Sequence, residues 1–521
     1  GRKPDKDILR CLSTERIFMN KLYEQLLPYL ERNHAYQTAL ALLSWDTETL
    51  APPAAADYTA KSVGILSEEA YRILVCDEVC DLLKKLSSKK EQETLSIQER
   101  AVVRCLKKEY EKTACIPQKE YREFSEFCAT AQTIYCRAKL SDRFEDFAPV
   151  LEKMIDYTRR FASYRAKKGD NLYDLLLNDY EEGFTVKVLD DFFEQLQKAL
   201  VPLLHKVTAK KDMIDKSYNY RTYPVEKQRD FCRFLAGYTG FDFNRGVIAE
   251  SEHPFTTNLH NHDVRLTNHY HEKNLESAIF SVIHETGHAL YEMGVDDSLT
   301  GTPAGAGVSM GMHEAQSRFY ENMIGRSDAF WEPLFPKLVA AFPDELADVS
   351  IGQFLNGINR AEPGLIRTEA DELTYPLHIM IRYELEKQIF SGDCTVKDLP
   401  ELWNKKYKEY LGVTPETYAE GILQDIHWSM GNFGYFPSYA IGSAIAAQIY
   451  SYMKGQMPLD DYLKEGNLVP VREFLRDHIH KYGSVYTTNE LLKQMTGEEF
   501  NPDYYIRYLT EKYNRLYQLE R

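Results

Sequence analysis

Residues Leu275 to Gly294 read LESAIFSVIHETGHALYEMG, and this stretch decides the fold around it. Its apolar residues recur at three- and four-residue spacing, which predicts an amphipathic helix that Gly294 can end. His284 and His288 are four residues apart, so both imidazoles lie on one face of that helix, one turn apart. Glu285 follows the first histidine. This arrangement lets two histidines hold a zinc ion while the glutamate reaches a water on the same ion.

Histidine is concentrated in this part of the chain. Eight of the 14 histidines lie between His253 and His313, which favours metal or proton chemistry there. The alternative is a helix whose histidines only make hydrogen bonds inside a core, but such a helix needs no glutamate after its first histidine. Four of the eight have no defined role and are expected in the core or on the surface: His260, His262, His269 and His271.

Composition narrows the class of protein. The chain has 521 residues, 44% hydrophobic and 27% charged, as in soluble globular proteins, and is long enough that we expect two or three domains or lobes. A net charge of −16 argues against a general nucleic-acid or anionic-membrane binder. No run of 18 apolar residues predicts a membrane span. Nine scattered cysteines, an odd number, favour a reduced, cytoplasmic protein.

The pattern of the whole chain is helical. Helical periodicity dominates at about residues 13–43, 61–167 and 186–207. The segment from Ser44 to Pro53 ends in a proline pair with small residues around it and predicts a break after the first stretch. Few stretches alternate with period two; residues 263–267 do, and we expect an edge strand there. We therefore predict a mostly α-helical protein with one small β-sheet.

Two histidines leave a catalytic zinc ion one protein ligand short. A third histidine soon after the helix would follow the metzincin pattern, but Tyr291 and Gly294 stand where that pattern needs glycine and histidine. The other familiar solution is a glutamate on a later helix. Glu314 lies 26 residues after His288, which leaves room for a loop and a returning helix. We predict Glu314 as the third ligand, with its neighbour His313 as the rival.

Seven motifs occur in a fixed order along the chain. They are Ser44-Trp45-Asp46, His253-Pro254-Phe255, Asp263-x-Arg265-x-Thr267, the His284 motif, His313-Glu314-x-Gln316-Ser317, Ile366-Arg367-Thr368-Glu369-Ala370-Asp371-Glu372 and Gly434-Tyr435-Phe436-Pro437-Ser438-Tyr439. From about residue 40 to residue 500 they closely resemble the carboxypeptidase Taq family of metallocarboxypeptidases. Ser438 and Ala315 are two conservative departures from that family's usual threonine and serine.

The resemblance carries expectations of its own. It implies a helical, two-lobed fold like that of neurolysin and angiotensin-converting enzyme, with a deep central groove and a small β-sheet. Residues 1–521 would form one metallopeptidase domain of two lobes, with the zinc-site segment at about 250–440. It also implies release of single C-terminal residues from peptides with broad specificity, and a homodimer. The ion is expected to be zinc, although His and carboxylate ligands also accept cobalt or another divalent ion.

The chemistry also requires groups beyond the metal ligands. Glu285 is expected to take a proton from the attacking water and to hand it to the leaving amine. The tetrahedral intermediate needs hydrogen-bond donors for its oxyanion, and His427, Tyr435 and Tyr439 carry suitable ones. The glycines around them and Pro437 predict a shaped loop rather than a helix. The alternative is that these aromatic residues merely pack.

A carboxypeptidase must also recognise a free carboxylate, for which a bidentate arginine is well suited. Arg265 and Arg367 lie in the matched motifs and are our two candidates. Arg318 and Arg360 are open alternatives that could as easily pair with nearby acids. His253 is expected to line the substrate site.

Two further carboxylates, Glu369 and Asp371, are read as groups that orient a ligand histidine, with a structural ion pair as the alternative.

Two other functions stay open at this point. One is an oligopeptidase or dipeptidyl carboxypeptidase on the same fold. The other is a non-catalytic peptide-binding protein, against which the general base Glu285 argues, since binding alone does not need it.

Overall fold

Twenty-two α-helices and one three-stranded sheet account for most of residues 20–519, the part of the chain described by this computed structural model. The first helices are α1 (Lys21–Thr49), α2 (Ala56–Leu74), α3 (Asp77–Leu86), α4 (Lys89–Gln92), α5 (Ile97–Ala114), α6 (Gln118–Leu140), α7 (Phe144–Arg165), α8 (Leu172–Tyr180), α9 (Val186–Thr208) and α10 (Val225–Thr239). The strands are β1 (Gly246–Glu250), β2 (Thr256–His260) and β3 (Asp263–Asn268). The remaining helices are α11 (Leu275–Met293), α12 (Met310–Arg318), α13 (Asp328–Ala341), α14 (Pro343–Leu346), α15 (Ile351–Ile358), α16 (Tyr375–Ser391), α17 (Leu399–Leu411), α18 (Pro437–Gln456), α19 (Leu459–Lys464), α20 (Val469–His478), α21 (Thr488–Thr496) and α22 (Asp503–Leu516).

The predicted fold class, mostly α-helical with one small sheet, is confirmed. The helical stretches predicted at residues 61–167 and 186–207 correspond to α2–α7 and α9. The opening stretch is α11, and Gly294 caps its end as expected. The assignment of the whole chain to one domain of two lobes stays a prediction.

The first helix extends further than its prediction. Residues 13–19 of the predicted stretch lie outside the described residues, and α1 continues past residue 43 to Thr49. Trp45 explains the continuation, because its ring is buried against Phe255 at a centroid distance of 5.7 Å. The expected break follows over residues 50–52, and a 3-10 turn begins at Pro53.

The predicted edge strand at residues 263–267 is the middle strand of the sheet. β3 pairs with β1 in parallel and with β2 in antiparallel fashion, so the strand order is β1-β3-β2. The prediction was wrong because the position of a strand in its sheet depends on which strands pair with it, and the alternation of residues 263–267 does not report those partners. Asp263 accepts two hydrogen bonds, both at 2.8 Å, from the guanidinium of Arg265, so neighbouring strands can cover both edges.

One continuous apolar core runs from Ala131 to Tyr517, and a second, smaller one joins α1, α3 and α5 to the residues around Leu299. Helix α11 passes through the large core, and 15 of its 19 residues are buried. That burial fixes the helix from all sides and therefore fixes the face that carries the two histidines.

The approach of α12 to its neighbours depends on two glycines. A Cβ atom on Gly287 of α11 would lie 2.6 Å from the Cα of Ser317, so only hydrogen fits at this crossing. On the other side of α12, a Cβ on Gly442 of α18 would lie 2.6 Å from the Cβ of Glu314. The backbones of α11 and α18 thus hold α12 closely between them.

Residues 20–519 contain no helix with the length and apolar character needed to cross a membrane. The eight cysteines in this part of the chain are all unpaired. Cys11 lies outside the described residues.

Candidate metal centre

Three side chains converge at the crossing of α11 and α12. His284 Nε2 lies 3.8 Å and His288 Nε2 lies 3.7 Å from the same atom, Glu314 Oε2. All three ligand atoms lie within 4.8 Å of one another. Ligands of a tetrahedral zinc ion with bonds of about 2.1 Å are roughly 3.4 Å apart, so this donor set fits such an ion with little adjustment. The structure therefore brings together the three residues that the sequence suggested.

Hydrogen bonds determine which nitrogen of each histidine is free. His284 Nδ1 lies 2.7 Å from Glu321 Oε2, and His288 Nδ1 lies 2.7 Å from His313 Nδ1. His313 in turn places Nε2 2.7 Å from Glu292 Oε1. Because a carboxylate only accepts, His313 carries its proton on Nε2 and accepts at Nδ1 from the Nδ1–H of His288. In its neutral form each of the two candidate ligand histidines therefore carries its proton on Nδ1 and leaves Nε2, which lies nearest Glu314 Oε2, unprotonated.

The pKa values of these histidines follow from the same surroundings. Burial lowers the pKa of His288 well below its usual value, and the neighbouring histidines lower it further, so this ring stays neutral. Burial also acts to lower the pKa of His284, but the carboxylates of Glu314 and Glu321 outweigh it and raise the pKa overall.

The rival ligand His313 points away from the centre. Both of its ring nitrogens are engaged, one by His288 and one by Glu292. Glu292 is held in turn by the side-chain amide of Asn258 at 2.7 Å and by the backbone N–H of Gly307 at 3.0 Å. His313 therefore holds the ring of the candidate ligand His288 in place and is not itself one of the three converging groups.

Arg318 orients the third donor. Its Nε donates to Glu314 Oε1 at 2.7 Å, which turns the other oxygen, Oε2, towards the histidines. Its Nη1 donates to Glu321 Oε2 at 3.0 Å. Burial alone would raise the pKa of Glu321, but Arg318 and His284 hold it far below the usual range. Of the open alternatives for carboxylate binding, Arg318 is thus committed to these acids, and Arg360 pairs with Glu362 at 2.8 Å.

The expected roles of Glu369 and Asp371 were wrong. Glu369 is exposed, and Asp371 accepts hydrogen bonds from nearby backbone, including Leu373 N at 2.9 Å, without contacting a ligand histidine. Short polar side chains in loops satisfy local backbone donors readily, and this is what Asp371 does. The carboxylate that orients His284 is Glu321, which lies in a π-helical turn, residues 319–324, that continues α12.

Sequence reasoning missed Glu321, although a signal for it existed. Glu314, Arg318 and Glu321 follow one another at spacings of four and three residues, which places them on one face of a continuing helix. Opposite charges at these spacings are neighbours, as the structure shows.

Glu285 lies beside the ligands and reaches the sheet. Thr256 Oγ1 of β2 donates to Glu285 Oε2 at 2.6 Å, and no side chain among residues 20–519 donates to the other oxygen. Burial raises the pKa of this carboxyl above its usual value.

The three candidate oxyanion donors come together. Tyr439 Oη lies 3.1 Å from His427 Nε2, and the rings of Tyr435 and Tyr439 are 5.1 Å apart. Burial raises the pKa of Tyr435 to about 12, and the carboxylate of Glu314 adds to the rise. Burial lowers the pKa of His427 to about 3, so its imidazole is neutral.

The loop predicted around these residues ends earlier than expected. Pro437 is the first residue of α18, so Tyr439 lies on a helix. Proline suits that position because its fixed φ matches the helix and its missing N–H has no partner there. Gly434 does sit in a loop, at φ 87°, as the glycines suggested.

The two candidate carboxylate-binding arginines have different surroundings. Arg367 is buried, and its guanidinium lies 5.0 Å from the centre of the Tyr439 ring. Its Nε donates to Asp425 Oδ1 at 2.9 Å, and its Nη1 donates to the phenol of Tyr375 at 3.3 Å. Arg265 forms the closed pair with Asp263 described above. His253 is exposed in the turn before β2.

Comparisons with known proteins agree on one family. A family model described as carboxypeptidase Taq (M32) metallopeptidase matches residues 25–513. Carboxypeptidase 1 of Bacillus subtilis is 43% identical over 497 residues, which cover 95% of this chain and 99% of that protein. Thermostable carboxypeptidase 1 of Thermus thermophilus is 36% identical over 507 residues, with 95% and 99% covered. The crystal structure of the M32 carboxypeptidase from Deinococcus radiodurans R1 is similar with a TM-score of 0.92 at 34% identity, covering 96% of this chain and 100% of that one.

Proposed function

Because the chain belongs to the carboxypeptidase Taq (M32) family, and is thus a peptide hydrolase of the metallocarboxypeptidase type, we propose that it is a zinc-dependent enzyme that removes single C-terminal residues from peptides with broad specificity. The observation that carries this proposal is the convergence of His284, His288 and Glu314 next to Glu285. The predicted family is confirmed by matches that span nearly the whole chain.

His284 and His288, through Nε2, and Glu314, through Oε2, would hold the metal ion. When bound, a zinc ion supplies Lewis acidity, which lowers the pKa of a water and polarises the scissile carbonyl. Cobalt or another divalent ion could fill the same donor set. Glu321, His313 and Arg318 keep the three ligand atoms aimed at one point and so keep the site ready for the ion.

Glu285 acts as the general base. Thr256 holds one carboxylate oxygen and leaves the other free to accept a proton from the attacking water. The pKa of Glu285 is raised towards neutral pH, which suits a group that takes a proton from water and then, as the acid, passes it to the leaving amine.

Tyr435, Tyr439 and His427 provide donors for the oxyanion that forms from the carbonyl. The raised pKa values of both phenols keep their hydroxyl protons in place near neutral pH. The carboxylate of Glu314 adds to the pKa of both phenols, so both lie within electrostatic range of the three candidate ligands, where an oxyanion needs donors.

Arg367 is our choice for the residue that binds the substrate carboxylate. Its Nη1 donates to Tyr375, whose ring lies 4.3 Å from the guanidinium of Arg318, and Arg318 binds the ligand Glu314. Two side chains, Tyr375 and Arg318, therefore lie between the clamp and the candidate ligand Glu314. A single residue separates the scissile carbonyl from the terminal carboxylate by only about 4 Å of chain, so a close clamp favours removal of one residue at a time. Arg265 is neutralised by Asp263 and is the weaker choice.

The same resemblance supports a homodimer that works in the cytoplasm on peptides with a free C-terminus. Light scattering after size exclusion tests the oligomeric state, with twice the chain mass of 60.5 kDa as the expected result. A mass of one chain at micromolar concentration would contradict it.

Mass spectrometry of peptide digests, together with metal analysis of the same sample, tests the proposal. We expect a ladder of products that differ by single C-terminal residues, with about one zinc ion per chain. A ladder of dipeptide steps would instead indicate a dipeptidyl carboxypeptidase, and internal cuts an oligopeptidase. No products from metal-loaded protein would indicate a peptide-binding protein.

A further inference from the structure

Asp425 is shared by two arginines. Arg382 of α16 donates from Nε to Asp425 Oδ2 at 2.6 Å, and its Nη2 lies 2.6 Å from the same oxygen. Arg367 donates from Nε to the other oxygen, Oδ1, at 2.9 Å, and its Nη2 lies 2.8 Å from that oxygen. One carboxylate therefore faces two guanidinium groups, both of which are buried.

The remaining partners of Arg382 are neutral. Its Nη1 donates to the backbone carbonyl of His378 at 2.8 Å, and its Nη2 donates to Gln424 Oε1 at 2.7 Å. Burial keeps the pKa values of His378 and His427, the two histidines beside the cluster, far below neutral. Among residues 20–519, Asp425 is the single carboxylate within 4.0 Å of either guanidinium. The cluster thus retains one unneutralised positive charge.

A buried surplus charge is costly unless an anion meets it. Two atoms of Arg367 are fixed on Asp425, while its third nitrogen, Nη1, makes one long hydrogen bond of 3.3 Å to Tyr375. Arg382 is fully buried, and its guanidinium lies 4.5 Å from the centre of the Trp403 ring. The unneutralised charge is therefore available at Arg367, beside Tyr439 and the reaction site.

We propose that Arg382 is a positioning residue for substrate recognition: it takes up the charge of Asp425, so that Arg367 keeps a free positive charge for the substrate's terminal carboxylate. This rests on the proposed function, which places the carboxylate at Arg367. Asp425 then only orients Arg367 and does not neutralise it. If Arg382 were uncharged, Asp425 and Arg367 would form a closed pair, as Asp263 and Arg265 do.

Binding of an N-acetylated tripeptide and of its C-terminal amide, measured by calorimetry on the zinc-loaded Glu285→Gln protein, tests the proposal. In that background Arg382→Gln should weaken binding of the acid by about tenfold or more and binding of the amide by less than about threefold. The double variant Arg382→Gln/Asp425→Asn removes one charge of each sign and should restore acid binding to within about threefold of the parent. Arg165→Gln is the matched control, because it removes a guanidinium that pairs with Asp179 at 2.6 Å outside the site.

Equal losses for acid and amide in Arg382→Gln, or no recovery in the double variant, would overturn the proposal and leave Arg382 a purely structural role. Should Arg382→Gln fail to fold, the single variant Asp425→Asn tests the proposal. It removes the anion that pairs with Arg367, so it should bind the acid at least as tightly as the parent does. A tenfold loss of binding that is specific to the acid would overturn the inference.

Arg367→Gln separates this proposal from the one on which it rests. If Arg367→Gln keeps the parent's preference for acid over amide, the carboxylate clamp itself is misplaced. If it loses that preference while Arg382→Gln keeps it, the clamp stands and only the role of Arg382 is wrong.

Discussion

Within residues 20–519 the carboxylate of Glu285 has one side-chain donor, Thr256 Oγ1, at 2.6 Å. A glutamine at this position can keep that hydrogen bond through its carbonyl oxygen but cannot accept a proton. We expect Glu285→Gln to lower kcat by about 1,000-fold or more and to leave the bound metal unchanged, because general acid–base catalysis contributes on that scale. Steady-state kinetics with metal analysis measures both quantities.

Glu369→Gln is the matched control, since Glu369 is an exposed glutamate that contacts no ligand. Its kinetics should equal those of the parent. Retention of more than about a tenth of the parent activity by Glu285→Gln would contradict the role of general base.

Glu321 makes a second residue-scale prediction possible. It accepts from His284 and from Arg318, so it fixes the ring of one ligand and the guanidinium that turns another. We expect Glu321→Gln to weaken metal binding by about 10–100-fold, because such orienting carboxylates contribute on that scale. Competition with a chelating dye measures the dissociation constant. Glu362→Gln, which changes an exposed glutamate, is the control and should bind the metal as the parent does. An unchanged metal affinity in Glu321→Gln would show that Glu321 is not needed to orient the ligands.

The sequence predicts site residues that lie close together along the chain, but not contacts between residues far apart in it. His284, Glu285 and His288 follow from helix periodicity, because local spacing alone places them on adjoining faces. Thr256 and Asp425 could not be assigned, since they reach their partners across 29 and 58 residues and only tertiary packing sets those contacts.

At the scale of an element, the start of α12 depends on a buried carboxyl. Glu181, between α8 and α9, accepts from Gly311 N at 2.8 Å and from Thr488 Oγ1 at 2.5 Å. Burial raises its pKa to about 7, and the hydrogen bonds only partly oppose that rise. This side chain therefore joins the helix that carries Glu314 to α21.

Glu181 should make stability depend on pH. Its folded-state pKa of about 7 exceeds the value of roughly 4.3 of an unfolded glutamate, so the folded protein binds more protons between these pH values. The free energy of unfolding therefore falls as pH rises from about 4.5 to 7. Glu181→Gln mimics the neutral form and should be more stable than the parent at pH 8, by up to about 4 kcal/mol, and equal to it near pH 4.5. Thermal unfolding midpoints across this range measure the difference.

Parallel curves for the parent and Glu181→Gln between pH 4.5 and pH 8 would show that this carboxyl is not the titrating group. Glu182→Gln, at the neighbouring, solvent-exposed position, provides the comparison.

Element types were easier to predict than element ends and neighbours. Helix α11 was found nearly to the residue because periodicity and a glycine cap coincide there. The start of α18 was missed because Pro437 was read as a loop residue, although proline at a first helical position marks a beginning. Whether β3 lies at an edge is a property of its neighbours, and no local pattern encodes it.

At the scale of the whole molecule, the metal site is part of the large core. Helix α11 is buried along most of its length, and each of the three candidate ligand side chains is held in place by a hydrogen bond to its other polar atom. We expect a chelator to abolish hydrolysis and to leave the helical circular dichroism unchanged at 25 °C. The unfolding midpoint should fall, because an ion that binds only the folded state stabilises it by about 4 kcal/mol at 1,000 times its dissociation constant.

Re-addition of zinc should restore both activity and midpoint. Loss of helical signal on chelation at 25 °C would contradict a site that is formed before the ion binds.

Gly287 and Gly442 have a consequence for metal binding. They let α12 lie directly against two backbones, which brings Glu314 Oε2 within 3.8 Å of both histidine Nε2 atoms. A side chain at either position would push α12 away and widen the distance between Glu314 and the two histidines. A zinc ion with bonds of about 2.1 Å needs ligand atoms roughly 3.4 Å apart, so such a widening would weaken its binding. Metal affinity in this protein is thus expected to depend on two residues that never touch the ion.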